Sequence, residues 1–557
     1  MQIIVPMSGF GERFRRAGYS VPKPLIPIDG KPIIAHVIDM FPGEQDFIFI
    51  CNRDHLDNPD YGMREILQRY CPSGRIVGIA PHKLGPVHAV RQVLDLVDPQ
   101  QPTVVNYCDF TCFWDWQDFK DFVAATGCAG AIPAYKGFHP HSLGSTNYAY
   151  LRETGGWVDD IQEKQPYTND RMNEFASSGT YYFASGRIMA DAFQATMAQQ
   201  LNVAGEYYVS LSYKPMLAVN LPVAVYPLQH FMQWGTPDDV AEFTGWSLAF
   251  KRLIASEADA SASNEAVVMP MAGLGQRFAQ QGYTLAKPLI PVSGKPMVAQ
   301  AVHDLPAAAQ HAFVLRGDMA GHEDITQQLL PLYPHAVIST IPAVTEGQAC
   351  TALLGVDALE ERDGPLSGAL TFGACDNGVL YDAAALQGLL DDPTVDVIVW
   401  GVRGHANAVR RPAMFGWIDA QDGVIRHISV KTPLDAPASD PIVIGTFTFR
   451  RAADFRRALA RLIARDGRIG GEFYLDACIN DAIELGLQCR LFEVDAFLSW
   501  GTPNDLRTFT YWQSCFHKWA SHPYRLERDG RVAASALPEL ENDYAALRPE
   551  RPAARKA

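Results

Sequence analysis

The chain has 557 residues, 48% of them hydrophobic and 20% charged, the balance of a globular protein rather than a disordered one. At about 150 residues per domain, length alone suggests three or four domains. A net charge of −15 argues against general nucleic-acid binding, which needs a positive footprint, but leaves room for a small anion in a local basic pocket.

The N-terminus, MQIIVPMSGFGERF, reads as a buried strand entering a glycine turn, not as a signal peptide. No run reaches about 18 apolar residues, so no membrane span is expected. The ten cysteines are scattered without a Cys-x-x-Cys pair, which favours reduced thiols in the cytoplasm over a structural zinc.

Residues 5–32 and 269–296 are identical at 16 of 28 positions without a gap. The echo continues through 147–166 and 414–433, GEYY at 205 and GEFY at 471, and finally QWGTPDD and SWGTPND. A period of about 265 residues is a duplicated domain, not a solenoid unit. The expected boundaries are domain 1 over 1–250, a linker over 251–264, domain 2 over 265–520, and a polar, partly disordered tail over 521–557. In each half, short β-branched strands such as DFIFIC and VDVIVWGV alternate with helical patterns. This alternation predicts α/β architecture, with a largely parallel sheet covered on both faces.

Gly9-Phe-Gly11-Glu-Arg13 follows the first strand, and Gly273-Leu-Gly275-Gln-Arg277 repeats it. Such a turn lets backbone amides face an anion, and the arginine adds a bidentate fork for phosphate. Lys23 and Lys287 sit in Lys-Pro-Leu-Ile-Pro, where prolines stiffen the backbone around one ammonium. Lys31 and Lys295, in Gly-Lys-Pro, suit a structural turn equally well.

The combination GxGxRF…KPLIPxxGKP resembles the nucleotidyltransferases that make nucleoside-diphosphate sugars and related activated alcohols. The resemblance runs from the first strand to Trp-Gly-Thr-Pro in both halves. It implies two tandem Rossmann-like three-layer α/β/α (GT-A-like) domains with a mixed sheet. It also implies Mg²⁺-dependent transfer of NMP from an NTP to a phosphorylated sugar or small alcohol, with release of pyrophosphate, toward an activated surface-polysaccharide precursor. On this resemblance Arg13, Lys23, Arg277 and Lys287 are catalytic, and Asp109 and Asp376 bind the metal. Gly9, Gly11, Gly85, Gly273, Gly275, Gly347 and Gln348 meet the nucleotide. Glu163, Lys164, Gly179, Lys431 and Gly445 meet the acceptor.

Two departures stand out. Val430 replaces Glu163 in the second half, so one carboxylate is missing there. Gln233 and Ser499 occupy the positions where many members carry a second metal-binding aspartate. Glu206 and Glu472 are spare acidic candidates, while Asp239 and Asp505 read as helix capping residues. The histidines at 55, 82, 88, 139 and 141 read as surface or hydrogen-bonded groups, and Trp114 and Trp116 as core. Two rival readings remain: one catalytic half beside a ligand-sensing half, and a glycosyltransferase. The latter lacks the expected Asp-x-Asp.

Overall fold

The computed structural model of the chain describes residues 1–255 and 263–546. The described residues fold as two compact units: Met1–Ser247 with 541–546, and those within Leu248–Leu540.

The first unit is built on a ten-stranded sheet. Its strand order is Phe175–Ser177, Ala149–Thr154, Trp157–Glu163, Val223–Leu228, Gly130–Tyr135, Thr180–Phe183, Thr103–Asn106, Gln2–Met7, Phe47–Asn52 and Arg75–Ile79. Gln2–Met7, Phe47–Asn52, Gly130–Tyr135 and Val223–Leu228 are buried at every residue, as strands covered on both faces must be.

The second unit repeats the plan with nine strands. The order is Val337–Ile341, Ala307–Arg316, Ser263–Pro270, Leu370–Phe372, Ile442–Phe449, Val397–Val402, Cys489–Glu493, Val424–Val430 and Gly416–Gln421. Both sheets are mixed. Pairing is parallel around the first strand of each unit. It turns antiparallel where hairpins such as Ala149–Thr154 with Trp157–Glu163 enter, so the parallel share is smaller than strand–helix alternation suggests.

A short two-stranded ribbon in each unit brings the closing motif to the middle of the chain. Gln233 lies opposite Phe110, and Ser499 opposite Asn377. The backbone N–H groups of Trp234 and Trp500 then donate to the carbonyls of Asp109 and Asp376, 2.8 Å in both.

The boundaries differ from the expected ones. The Pro237–Ala255 helix runs into the expected linker, and the Ser263–Pro270 strand begins there. Linker residues 256–262 lie outside the described residues, as do tail residues 547–557. Within the expected partly disordered tail, 521–546 is ordered. Tyr524 and Leu526 are fully buried, and a helix covers Leu537–Ala546. Arg531 Nε donates to Asp304 at 2.9 Å, with the Asp304 side chain fully buried. The tail looked polar because part of its polarity neutralises a charge inside the second unit.

All ten cysteines are free, and eight of them are buried.

Candidate functional site

Each unit opens with a buried strand whose hydrogen bonds end at a glycine turn. Gly11 takes φ +64° and Gly275 φ +62°, left-handed values that L side chains adopt only with strain. A short helix starts there, so Arg13 and Arg277 leave the turn exposed to solvent. No Cβ clash explains Gly9 or Gly273, around which there is open space.

The lysine of Lys-Pro-Leu-Ile-Pro folds under that turn. Lys23 Nζ pairs with Asp109 Oδ2 at 2.9 Å, and Lys287 pairs with Asp376 in the same way. Burial pulls against the charge of Lys23, but Asp109 prevails and holds its pKa above the ordinary lysine value. Lys287 is held up likewise against burial by Asp376. Two motifs 86 residues apart in the first half and 89 in the second thus form one ion pair, twice over.

Two cavities flank this pair in the first unit. One, about 240 Å³, is bounded by Phe10, Gly11, Arg15, Tyr19, Lys23 and His55. The other, about 100 Å³, holds Arg13, Asp109, Glu163, Gly179 and Gln233, with Tyr107, Tyr181, Ser177 and Ser178 on its walls. The serines, Tyr107 and Tyr181 were not singled out by sequence, and His55 was read only as a surface or hydrogen-bonded group. In the second half Ser177 and Ser178 become Val443 and Ile444.

Glu163 receives a hydrogen bond from Ser210 Oγ at 2.6 Å. Burial pushes its carboxyl up to about 7, against the opposing pull of Ser210 and Lys164. Lys164, at φ +60°, reaches the Tyr208 hydroxyl at 2.5 Å, and that hydroxyl donates to Glu206 at 2.6 Å. Lys431, at φ +61°, meets Tyr474 in the same way at 2.6 Å. The Gly-Glu-aromatic-Tyr turn therefore anchors the lysine in both units.

That turn also explains Gly85 and Gly347. A Cβ on Gly85 would stand 2.7 Å from the Tyr207 nitrogen, and one on Gly347 2.4 Å from the Phe473 nitrogen. Backbone bonds from Tyr207 to Leu84 and from Phe473 to Glu346 close the contact. Gln348 starts the Gln348–Asp363 helix immediately beyond. Gly179, at φ +99°, has Phe110 and Tyr107 within about 3 Å of its absent Cβ, and Gly445, at φ +84°, has Ala374 at 3.3 Å.

Gln233 stands beside Asp109. Both approach the position that a Cβ on Gly235 would take, at 3.6 and 3.4 Å. Its Nε2 donates to Asp239, while its Oε1 is buried with no hydrogen-bond partner among the described residues. Ser499 and Asp376 flank Gly501 in the same manner. A carboxylate and an orphaned amide oxygen are hard oxygen donors, so this corner fits Mg²⁺.

Asp239 and Asp505 accept from Thr236 and Thr502 and return the reciprocal cap. Trp114 and Trp116 donate to Met40 O and Glu44, each at 2.9 Å, within an aromatic cluster. Lys31 pairs with Asp39.

Residues 3–166 match the MobA-like NTP transferase domain family. Bifunctional protein GlmU of Burkholderia orbicola (strain MC0-3) is 34% identical over 109 residues, 20% of this chain and 22% of that protein. The GlmU of Burkholderia multivorans (strain ATCC 17616 / 249) is 29% identical over 216 residues, 38% of this chain and 43% of that protein. The chain thus spans less than half the length of these curated relatives. A nucleoside-diphosphate-sugar pyrophosphorylase from Vibrio cholerae RC9 aligns at 20% identity and TM-score 0.37, over 44% of this chain and 98% of that one. An inositol-1-phosphate CTP transferase from T. maritima aligns at 13% identity and TM-score 0.35, over 45% and 97%. The matched segment contains the glycine turn, the Lys23–Asp109 pair and the Glu163–Lys164 step. No helix among its described residues, or elsewhere in them, is long and apolar enough to cross a membrane.

Proposed function

We propose that both halves transfer a nucleotidyl group from a nucleoside triphosphate to a phosphorylated sugar or small phosphorylated alcohol, releasing pyrophosphate. The Lys–Asp pair beneath a glycine turn carries this reading, because it recurs intact in the second unit. An acceptor phosphate oxygen attacks the α-phosphorus. A P–O bond forms there, and the bond to the leaving pyrophosphate breaks.

The chain supplies position and charge more than covalent chemistry. Arg13 and the amides of the glycine turn hold the β- and γ-phosphates. Lys23 neutralises the α-phosphate and orients the incoming oxygen. Glu163 and Lys164 hold the acceptor, and the backbone at Gly179 leaves it room. The second half assigns the same roles to Arg277, Lys287, Lys431 and Gly445. Asp109 with Gln233, and Asp376 with Ser499, would hold Mg²⁺, which supplies charge neutralisation on the phosphate oxygens when bound. The product is an activated precursor of the kind that surface-polysaccharide synthesis consumes.

The test is pyrophosphate release from the full chain with four nucleoside triphosphates against a panel of phosphorylated acceptors, comparing D109N, D376N and the double variant. Each single variant is expected to abolish one acceptor activity and spare the other. Loss of every activity in D109N alone would leave the second half as a binding module. Full activity in the double variant would overturn the assignment.

A further inference from the structure

The second half lacks an acceptor carboxylate only when the halves are compared one position at a time. In the first unit Glu163 pairs across the hairpin with Ala149, both facing the 100 Å³ cavity, and Ser210 donates to Glu163. The equivalent triplet in the second unit is Gly416, Val430 and Asp476. Gly416 again pairs across the hairpin with residue 430.

The three changes fit one another. A Cβ on Gly416 would stand 2.2 Å from Asp476 Oδ2, so the carboxylate lies in the space an alanine would fill. Val430 has given up the acid, and the residue that served as its hydrogen-bond donor has become one. Lys431 acts electrostatically on Asp476, as Lys164 acts on Glu163. Among the described residues no other side chain binds the Asp476 carboxylate, whereas Glu163 has Ser210.

We propose that Asp476 is the acceptor-binding carboxylate of the second half, moved from the hairpin to the start of the Leu475–Glu484 helix. This rests on the acceptor reading given above. The surroundings set the ligand class. Ser177, Ser178, Tyr107 and Tyr181 line the same cavity as Glu163; Ser178 donates to the Pro133 carbonyl and Ser177 shares a hydrogen bond with Tyr181, a polar wall that suits a polyhydroxylated sugar phosphate. Their counterparts Val443, Ile444, Ala374 and Phe447 are apolar. The second half therefore takes a phosphorylated alcohol with few hydroxyls, one of which donates to Asp476. The halves handle different acceptors.

The experiment uses the full chain carrying E163Q, so that the first half's acceptor contact is weakened. Binding of glycerol 3-phosphate, glyceraldehyde 3-phosphate and glucose 1-phosphate is measured by calorimetry with and without D476N, alongside pyrophosphate release. D476N is expected to weaken a three-carbon phosphate at least tenfold and leave the KM for the nucleotide within twofold. The triple exchange G416A/V430E/D476S, which installs the first-half arrangement, is expected to recover binding. Three-carbon phosphates bound equally well by D476N, or not bound at all, overturn the proposal. Binding that depends on Asp476 without pyrophosphate release overturns nucleotidyl transfer in that half and leaves this assignment standing.

Discussion

At the scale of single residues, the Lys23–Asp109 pair sets the charge of the first site. On the proposed function, truncating Lys23 removes a cation aimed at the transferring phosphate; in any case it leaves Asp109 without its partner. K23A is expected to lower turnover by about 10²–10³-fold, the usual cost of losing one preorganised electrostatic donor, and K287A to do the same for the second activity. Steady-state pyrophosphate release checks both. Glu163 gives a pH signature. Burial raises its carboxyl from the ordinary 4.5 to about 7. Below 4.5 the group is protonated both folded and unfolded. Between 4.5 and 7 the folded chain keeps a proton that the unfolded chain has lost, so this contribution to stability falls as pH rises and is gone above 7. Denaturant titrations across that window should show the slope in the parent and lose it in E163Q. The acceptor KM of the first half should fall as pH rises through about 7, because the ionised carboxylate accepts hydroxyl donors, and should stay flat in E163Q.

At the scale of elements, the glycine turns and the alternation of strands with helices were legible, because repetition separates them from chance. The contact between Gly85 and the Tyr207 backbone was not. It joins main-chain atoms 122 positions apart and leaves no trace in side-chain pattern. Asp476 was missed for a related reason: Val430 read as a loss, since its replacement sits on another element. G85A combines a left-handed φ of +85° with a backbone clash, and should cost about 1–3 kcal/mol from the strained backbone alone. Thermal unfolding measures that cost. A raised acceptor KM in the same variant would report displacement of the turn that anchors Lys164.

At the scale of the molecule, duplication was the strongest sequence signal, and it resolves three or four expected domains into two. The polar composition of the tail gave no sign of the buried pair that 521–546 forms, because that pair's partner sits far away in sequence. Asp304 replaces Met40 of the first half, and a carboxylate inside the second unit needs a counter-charge, which Arg531 provides. R531A should destabilise the second unit by about 3–5 kcal/mol, the usual penalty for stranding one member of a buried pair. Denaturant unfolding should place that loss in the second unit, and D304M/R531M should restore much of it.

The free thiols carry a practical consequence. Cys51, Cys71, Cys108, Cys112 and Cys128 belong to the first unit, and Cys350, Cys375, Cys478, Cys489 and Cys515 to the second. Burial pushes Cys51, Cys108, Cys375 and Cys489 up to about 12, so almost no thiolate is available to alkylate in the folded chain. The first half thus contains five buried reporters of its own opening, and the second half three, Cys478, Cys489 and Cys515. Mass spectrometry of a chain quenched with an alkylating reagent during slow heating would show which half lets go first, with no label introduced.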